Sequence, residues 1–85
     1  MQVLIPTSLR SYTGSSYVTA EGATLAEVLA ALERRYPGIR FRMIDEQEQM
    51  RAHMRFFVNG RQVRELTHAL DAGDALAIVQ ALSGG

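Results

Sequence analysis

Groups able to do covalent chemistry are scarce in this 85-residue chain, and the most suggestive of them is its last one. There is no cysteine, which removes disulfides, a thiolate nucleophile and cysteine metal sites. His53 and His68 stand far apart in sequence with no HExxH-type companion, so no metal site is expected. Tyr12, Thr13 and Tyr17 make no nucleophile–base set, and Gly14 and the later glycines form no phosphate loop. No catalytic residue is assigned, and the chain is not expected to be an enzyme. What remains is the stretch Leu82-Ser83-Gly84-Gly85, a carboxylate on two residues without side chains. An α-carboxyl group titrates near 3.3–3.7, so at neutral pH it is an unreactive anion. It reacts only after activation, for which an acyl-adenylate made from ATP by a partner enzyme is the expected route. The partner must enclose the activated group to keep water from it. Residues lacking Cβ can thread a narrow channel and adopt backbone angles closed to others. Four extended residues reach at most about 13–14 Å.

Two terminal glycines arise by chance in roughly one chain in two hundred, so the tail alone does not decide the matter. Its approach does more. Ala75 to Ala81 reads as a strand running straight into the tail, so residues 1–81 are expected to form one domain and 82–85 a flexible extension. Met1 to Pro6 alternates Met1, Val3 and Ile5 against Gln2 and Leu4, the period of a half-buried strand that Pro6 ends. Thr7 to Ser16 reads as a loop anchored by Leu9 and turning at Thr13-Gly14. Tyr17 to Ala20 has the composition of a second strand, antiparallel to the first.

Thr24-x-x-Glu27 is a capping box, and Leu25, Val28, Leu29, Leu32 and Tyr36 fall at helical spacing behind it. Arg34 and Arg35 suit the last turn, and Pro37-Gly38 stops the helix. In residues 39–52, Phe41, Met43 and Ile44 are expected under the sheet, while Asp45 to Gln49 is a solvated polar run with at most a short helical turn. Met54 to Val58 alternates again, and Asn59-Gly60 predicts a type I′ hairpin into a short strand at Gln62 and Val63. Leu66 and Leu70 bracket a connection, and Asp71 to Asp74 turns into the final strand. Two hairpins around one helix imply an α+β fold: a mixed sheet of four to five strands with one face on one main helix.

Composition narrows the setting. The chain is too short for two cores, carries no apolar run of membrane-spanning length and opens without a signal-peptide pattern. Nine basic and nine acidic residues give zero formal charge, so neither nucleic acid nor membrane is an expected partner. The absence of cysteine suits a reducing cytoplasm. All nine basic residues are arginine, which weighs against chains of this protein linked to itself through lysine.

The element order resembles the β-grasp, ubiquitin-like sulfur carriers of the ThiS/MoaD family over nearly the whole chain. The resemblance rests on Ile5-Pro6-Thr7 with Leu9-Arg10 and Thr13-Gly14, on Thr24-Leu25, on Tyr36-Pro37-Gly38-Ile39, on Phe57-Val58-Asn59-Gly60, and on Gly73-Asp74. The first-loop motif and the length are most similar to the cysteine-biosynthesis carriers of the CysO type. The resemblance implies that an E1-like enzyme adenylates the terminal glycine, that it becomes a thiocarboxylate, and that a downstream synthase accepts the sulfur. Gly85 would then carry the acyl group, with Gly84 and Ser83 threading the partner's channel. No cofactor is implied on this chain, ATP being used by the activating partner. Gln80-Ala81 stands where the family often has proline, and Ser83 where alanine is common, which bears on partner choice.

Alternation implies where the partner docks. If the helix covers the face with Met54, Phe56, Val58, Val3, Ile5, Leu76 and Ile78, then Phe57, Leu4, Ala77 and Val79 share the other face. Phe57 and Val79, helped by Leu82, are the expected docking residues, while Arg55 and Arg61 read equally as a charged rim or as solvated arginines. Two other functions fit the same tail: a modifier conjugated through Gly85 to other proteins, and the small subunit of a molybdopterin synthase.

Overall fold

The computed structural model describes residues 1–81. Its strands are β1 (Gln2–Leu4), β2 (Tyr17–Thr19), β3 (Met54–Val58), β4 (Arg61–Val63) and β5 (Ala75–Gln80). They form one five-stranded mixed sheet in the order β2-β1-β5-β3-β4. The first and last strands lie side by side and parallel, Val3 opposite Leu76 and Leu4 opposite Ala77, while every other pairing is antiparallel. Because β1 and β5 run the same way, the loop that leaves β1 and the C-terminal end of β5 lie at one end of the molecule.

The main helix, α2 (Leu25–Arg35), forms where the capping box and apolar spacing require it. The Thr24 hydroxyl accepts the Glu27 N–H at 3.3 Å, and Glu27 reaches back to the Ala23 N–H at 3.4 Å, one residue before the usual partner. Leu25, Val28, Leu29 and Leu32 have no exposed surface and share a core with Val3, Ile5, Phe56, Leu76 and Ile78. Burying each such side chain stabilises the fold by about 1.5–3 kcal/mol. Tyr36 packs on the margin of that core. Helix and sheet thus form the two layers of a β-grasp fold.

Two segments differ from the sequence expectation. The loop after Pro6 is a 3₁₀ turn (Thr7–Leu9) followed by a helical turn, α1 (Arg10–Thr13), which ends at Gly14 with φ +69°. Leu9, the single apolar anchor, is buried and holds this short element down, while left-handed Gly14 lets the chain reverse. The segment after Gly38 (φ +99°) is another short helix, α3 (Ile39–Met43). It buries Ile39, Met43 and then Ile44, but turns Phe41 outward to 57% exposure, so Phe41 is not under the sheet. Three core residues at 39, 43 and 44 already fill one face of this single turn, and position 41 falls opposite. The acidic run beyond it is an Asx-type turn: Asp45 Oδ1 accepts the N–H groups of Gln47 and Gln49 at 2.9 and 3.0 Å.

The β3–β4 hairpin is the type I′ turn its sequence requires, with φ +51° at Asn59 and +85° at Gly60. Asn59 does more than turn. Its Nδ2 donates to Asp74 at 2.9 Å and its Oδ1 accepts the Ala75 N–H at 3.0 Å, which pins the start of β5 to the hairpin.

Candidate functional site

The site is built around the point where β5 ends. The Ala81 N–H donates to the His53 carbonyl at 2.7 Å, so pairing with the start of β3 holds the chain up to residue 81. The tail residues predicted to carry and thread the acyl group, Ser83, Gly84 and Gly85, lie outside the described residues, as does Leu82.

The loop leaving β1 packs beside this root. Leu4, Ile5, Pro6, Thr7, Ser8 and Arg10 form one wall of a groove of about 660 Å³, and Ile78 to Ala81 form the other. Pro6 lacks an N–H and ends β1, so β5 continues past its neighbour and the groove opens there. Ser8 hydrogen-bonds Gln80 across it, and Arg10 Nε donates to the Ile5 carbonyl at 3.0 Å, fixing the loop's shape. Of the residues that carried the first-loop resemblance, Ile5, Pro6, Thr7 and Arg10 are therefore neighbours of the tail root, while Thr13 and Gly14 do not line the groove. What gathers loop and root is the parallel β1/β5 pair, which brings the two C-terminal strand ends together.

The sheet face away from α2 holds the predicted docking residues. Register aligns Tyr17, Leu4, Ala77, Phe57 and Gln62 in one row across all five strands. Phe57, Leu4 and Ala77 are half-buried, Tyr17 is 50% exposed and Val79 is 38% exposed. Leu4, Tyr17, Phe57 and Ala77 line a shallow hollow of about 410 Å³. Tyr17 was missing from the sequence-based set, although its antiparallel partner Leu4 placed it on that face. Arg55 lies opposite Val79 and joins the face. Arg61 does not: its partner is Val58, which faces the core side, so the position beside Phe57 belongs to Gln62.

The carboxylates with shifted pKa values lie elsewhere. Glu33 is held below the usual carboxylate range chiefly by the Gly38 N–H at 2.8 Å and the Arg40 N–H at 2.9 Å. Asp74 is lowered first by the Asp71 N–H and then by Asn59. Both brace turns. Among the described residues no three metal-ligating side chains cluster, and no helix is long and apolar enough to cross a membrane.

Comparison with known proteins places this geometry. The ThiS family pattern matches residues 3–85. The chain belongs to the ThiS family. Its relatives include the sulfur carrier protein CysO of Mycobacterium tuberculosis, 38% identical over 89 residues, 98% of this chain and 96% of that protein. Small archaeal modifier protein 3 of Haloferax volcanii is 37% identical over 68 residues, 76% of this chain and 73% of its own length. Among solved structures, a chain of the Amycolatopsis orientalis BexX/CysO complex superposes with a TM-score of 0.91 at 38% identity, covering 99% of this chain and 98% of that one. The ThiS family match thus spans the β-grasp body, the first loop and the paired glycines.

Proposed function

We propose that this ThiS-family protein is a sulfur carrier that works as a co-substrate of other enzymes. An E1-like partner would use ATP to convert the Gly85 carboxylate to an acyl-adenylate, releasing pyrophosphate. Attack by a hydrosulfide equivalent would then displace AMP and leave a thiocarboxylate, whose sulfur passes to a small-molecule acceptor held by a synthase. Gly84 and Ser83 would thread the activating channel, and Phe57, Val79 and Leu82 would dock the body. The observation that carries this reading is the family match running through Gly85 together with 38% identity to CysO over 98% of the chain. A BexX/CysO assembly among the structural neighbours supports action through a protein partner. The chemistry asks little of the body beyond rigidity, and β5 supplies that by pairing up to residue 81.

Mass spectrometry of the protein recovered from cells tests the proposal. The carrier reading expects an oxygen-for-sulfur mass increase on the C-terminal peptide, lost when Gly85 is deleted. The 37% identity to a small archaeal modifier protein favours a second reading, conjugation through Gly85 to other proteins. Isopeptide adducts without a thiocarboxylate would decide for that one and against the carrier.

A further inference from the structure

Beside the tail root, on the other side of Ser8 from the groove, is a second depression of about 530 Å³ with a different character. Arg42, Arg51, His53, Tyr12 and Ser11 line it with Phe41, and no acidic side chain does. Both arginines are held by neutral acceptors through Nε. Arg42 Nε donates to the Tyr12 hydroxyl at 3.0 Å, and Arg51 Nε donates to the Phe41 carbonyl at 2.7 Å. The Arg51 guanidinium also lies 4.5 Å from the centroid of the outward-turned Phe41 ring, a cation–π contact that helps to fix its position. The terminal guanidinium nitrogens of Arg42 and Arg51 have no hydrogen-bond partner among the described residues. The side-chain ion pair found among those residues, Arg40 with Glu48, belongs to the far end of α3. A chain with zero formal charge therefore presents pre-oriented, unneutralised cations beside the point where its tail begins.

We infer that this depression binds carboxylate side chains on an acidic protein surface that encircles the mouth of the channel entered by the tail. The inference rests on the carrier reading for its biology. A tail of four residues reaches at most about 13–14 Å, so a partner enclosing its tip must bring the rim of the opening against the body around Ala81. Surfaces flanking Ala81 thus become contact surfaces in any such complex, and this one offers two fixed guanidinium forks. Planar forks suit carboxylates, and fixing them beforehand lowers the ordering cost on binding. The same charges would speed encounter with an acidic mouth at low ionic strength.

The test needs neither partner nor sulfur transfer, so its failure is separable from failure of the carrier reading. The ¹⁵N-labelled full chain is titrated with a hexaglutamate peptide at low salt and followed by NMR. Saturable shifts are expected at Ser11, Arg42, Arg51 and His53, abolished by added salt. The R42Q/R51Q double variant should bind roughly fivefold more weakly, at the modest value of exposed charge pairs. The R34Q/R61Q variant, which removes as much charge from exposed sites elsewhere, should bind as the wild type does. Each spectrum reports whether its variant is folded. Shifts spread evenly over the surface, equal weakening by the two double variants, or tighter binding of a short oligonucleotide than of hexaglutamate would each overturn the assignment.

Discussion

Replacing Phe57 with aspartate is the sharpest test of the docking face. Phe57 sits on β3, beside the central strand, between Ala77 and Gln62 in register, and is partly buried in the free protein. A phenylalanine buries roughly 150–250 Å² when fully covered, and Phe57 is less exposed than Val79, so about 50 Å² remains for a partner to cover. At about 25 cal/mol per Å² that is worth about 1.3 kcal/mol, and desolvating the new carboxylate against the partner brings the loss to about 2 kcal/mol. Phe57→Asp should therefore lower kcat/KM for activation by about thirtyfold, since each 1.4 kcal/mol is about tenfold. The fold should survive. An 85-residue domain is stable by roughly 4–13 kcal/mol, and losing the buried part of the ring costs about 2–3 kcal/mol of that. ATP–pyrophosphate exchange by the activating enzyme, measured against carrier concentration, gives the rate, and a thermal melt reports folding. Val79→Asp changes a residue already 38% exposed and supplies a milder second variant. Thr67→Asp, on the exposed connection between β4 and β5, should leave the rate unchanged. If Phe57→Asp melts cooperatively and is activated at the wild-type rate, the docking assignment is wrong.

Other expectations concern the scaffold. Gly22→Ala should destabilise by about 1–3 kcal/mol, because an added Cβ would meet the Val28 nitrogen at 2.7 Å and the Glu27 carbonyl carbon at 2.9 Å, backbone atoms that cannot swing aside; chemical denaturation measures it. Leu29→Ala, at a position with no exposed surface, should cost about 2–5 kcal/mol and lower the melting temperature accordingly. Glu33 has a folded pKa below its unfolded value, so its contribution is present above the unfolded pKa near 4.5 and is lost as pH falls through the folded one. Glu33→Gln should flatten the acid limb of the stability–pH profile below that point and leave the neutral region with a near-constant offset. An acid limb unchanged by the substitution would count against the turn-bracing role of Glu33.

The fold was legible where one local signal had one outcome. The capping box and the apolar spacing of α2, the Asn59-Gly60 turn and the alternation of β3 each specify a geometry within a few residues, and each is found. Legibility failed where a tertiary contact chose between local options. Polar Thr7 to Gly14 has no helical stripe, yet burial of Leu9 and the left-handed freedom of Gly14 make two short helical turns affordable there. Phe41 looks like a core residue in any hydrophobicity count, and only the placement of Ile39, Met43 and Ile44 in the core turns it out. Between the two readings of Arg61, rim or solvated arginine, the register decides: a two-residue hairpin loop fixes its partner as Val58, which sets this exposed residue apart from the row of Phe57.

The candidate site divides along the same line. Its chemical end could be proposed from sequence, because a carboxylate on paired glycines is named as a candidate without reference to the fold. Its surroundings could not, because they come from chain segments far apart in sequence. The tail root is flanked by the loop after β1, by α3 and by the start of β3, and what gathers them is the central parallel pairing of β1 with β5. That pairing has a functional consequence. β5 is the central strand, paired with β1 through Ala77 and with β3 through Gln80, so its last residues pair with β3 alone. Peeling β5 back to lengthen the tail would break the β3 ladder and expose Ile78, and going further would break the β1 ladder and expose Leu76, at about 1.5–3 kcal/mol for each side chain. The point at which the chain leaves the sheet is therefore set by the fold. On the carrier reading, an enzyme enclosing Gly85 would meet the surfaces around Ala81, which include the groove of Pro6 and Arg10 and the cationic depression of Arg42 and Arg51.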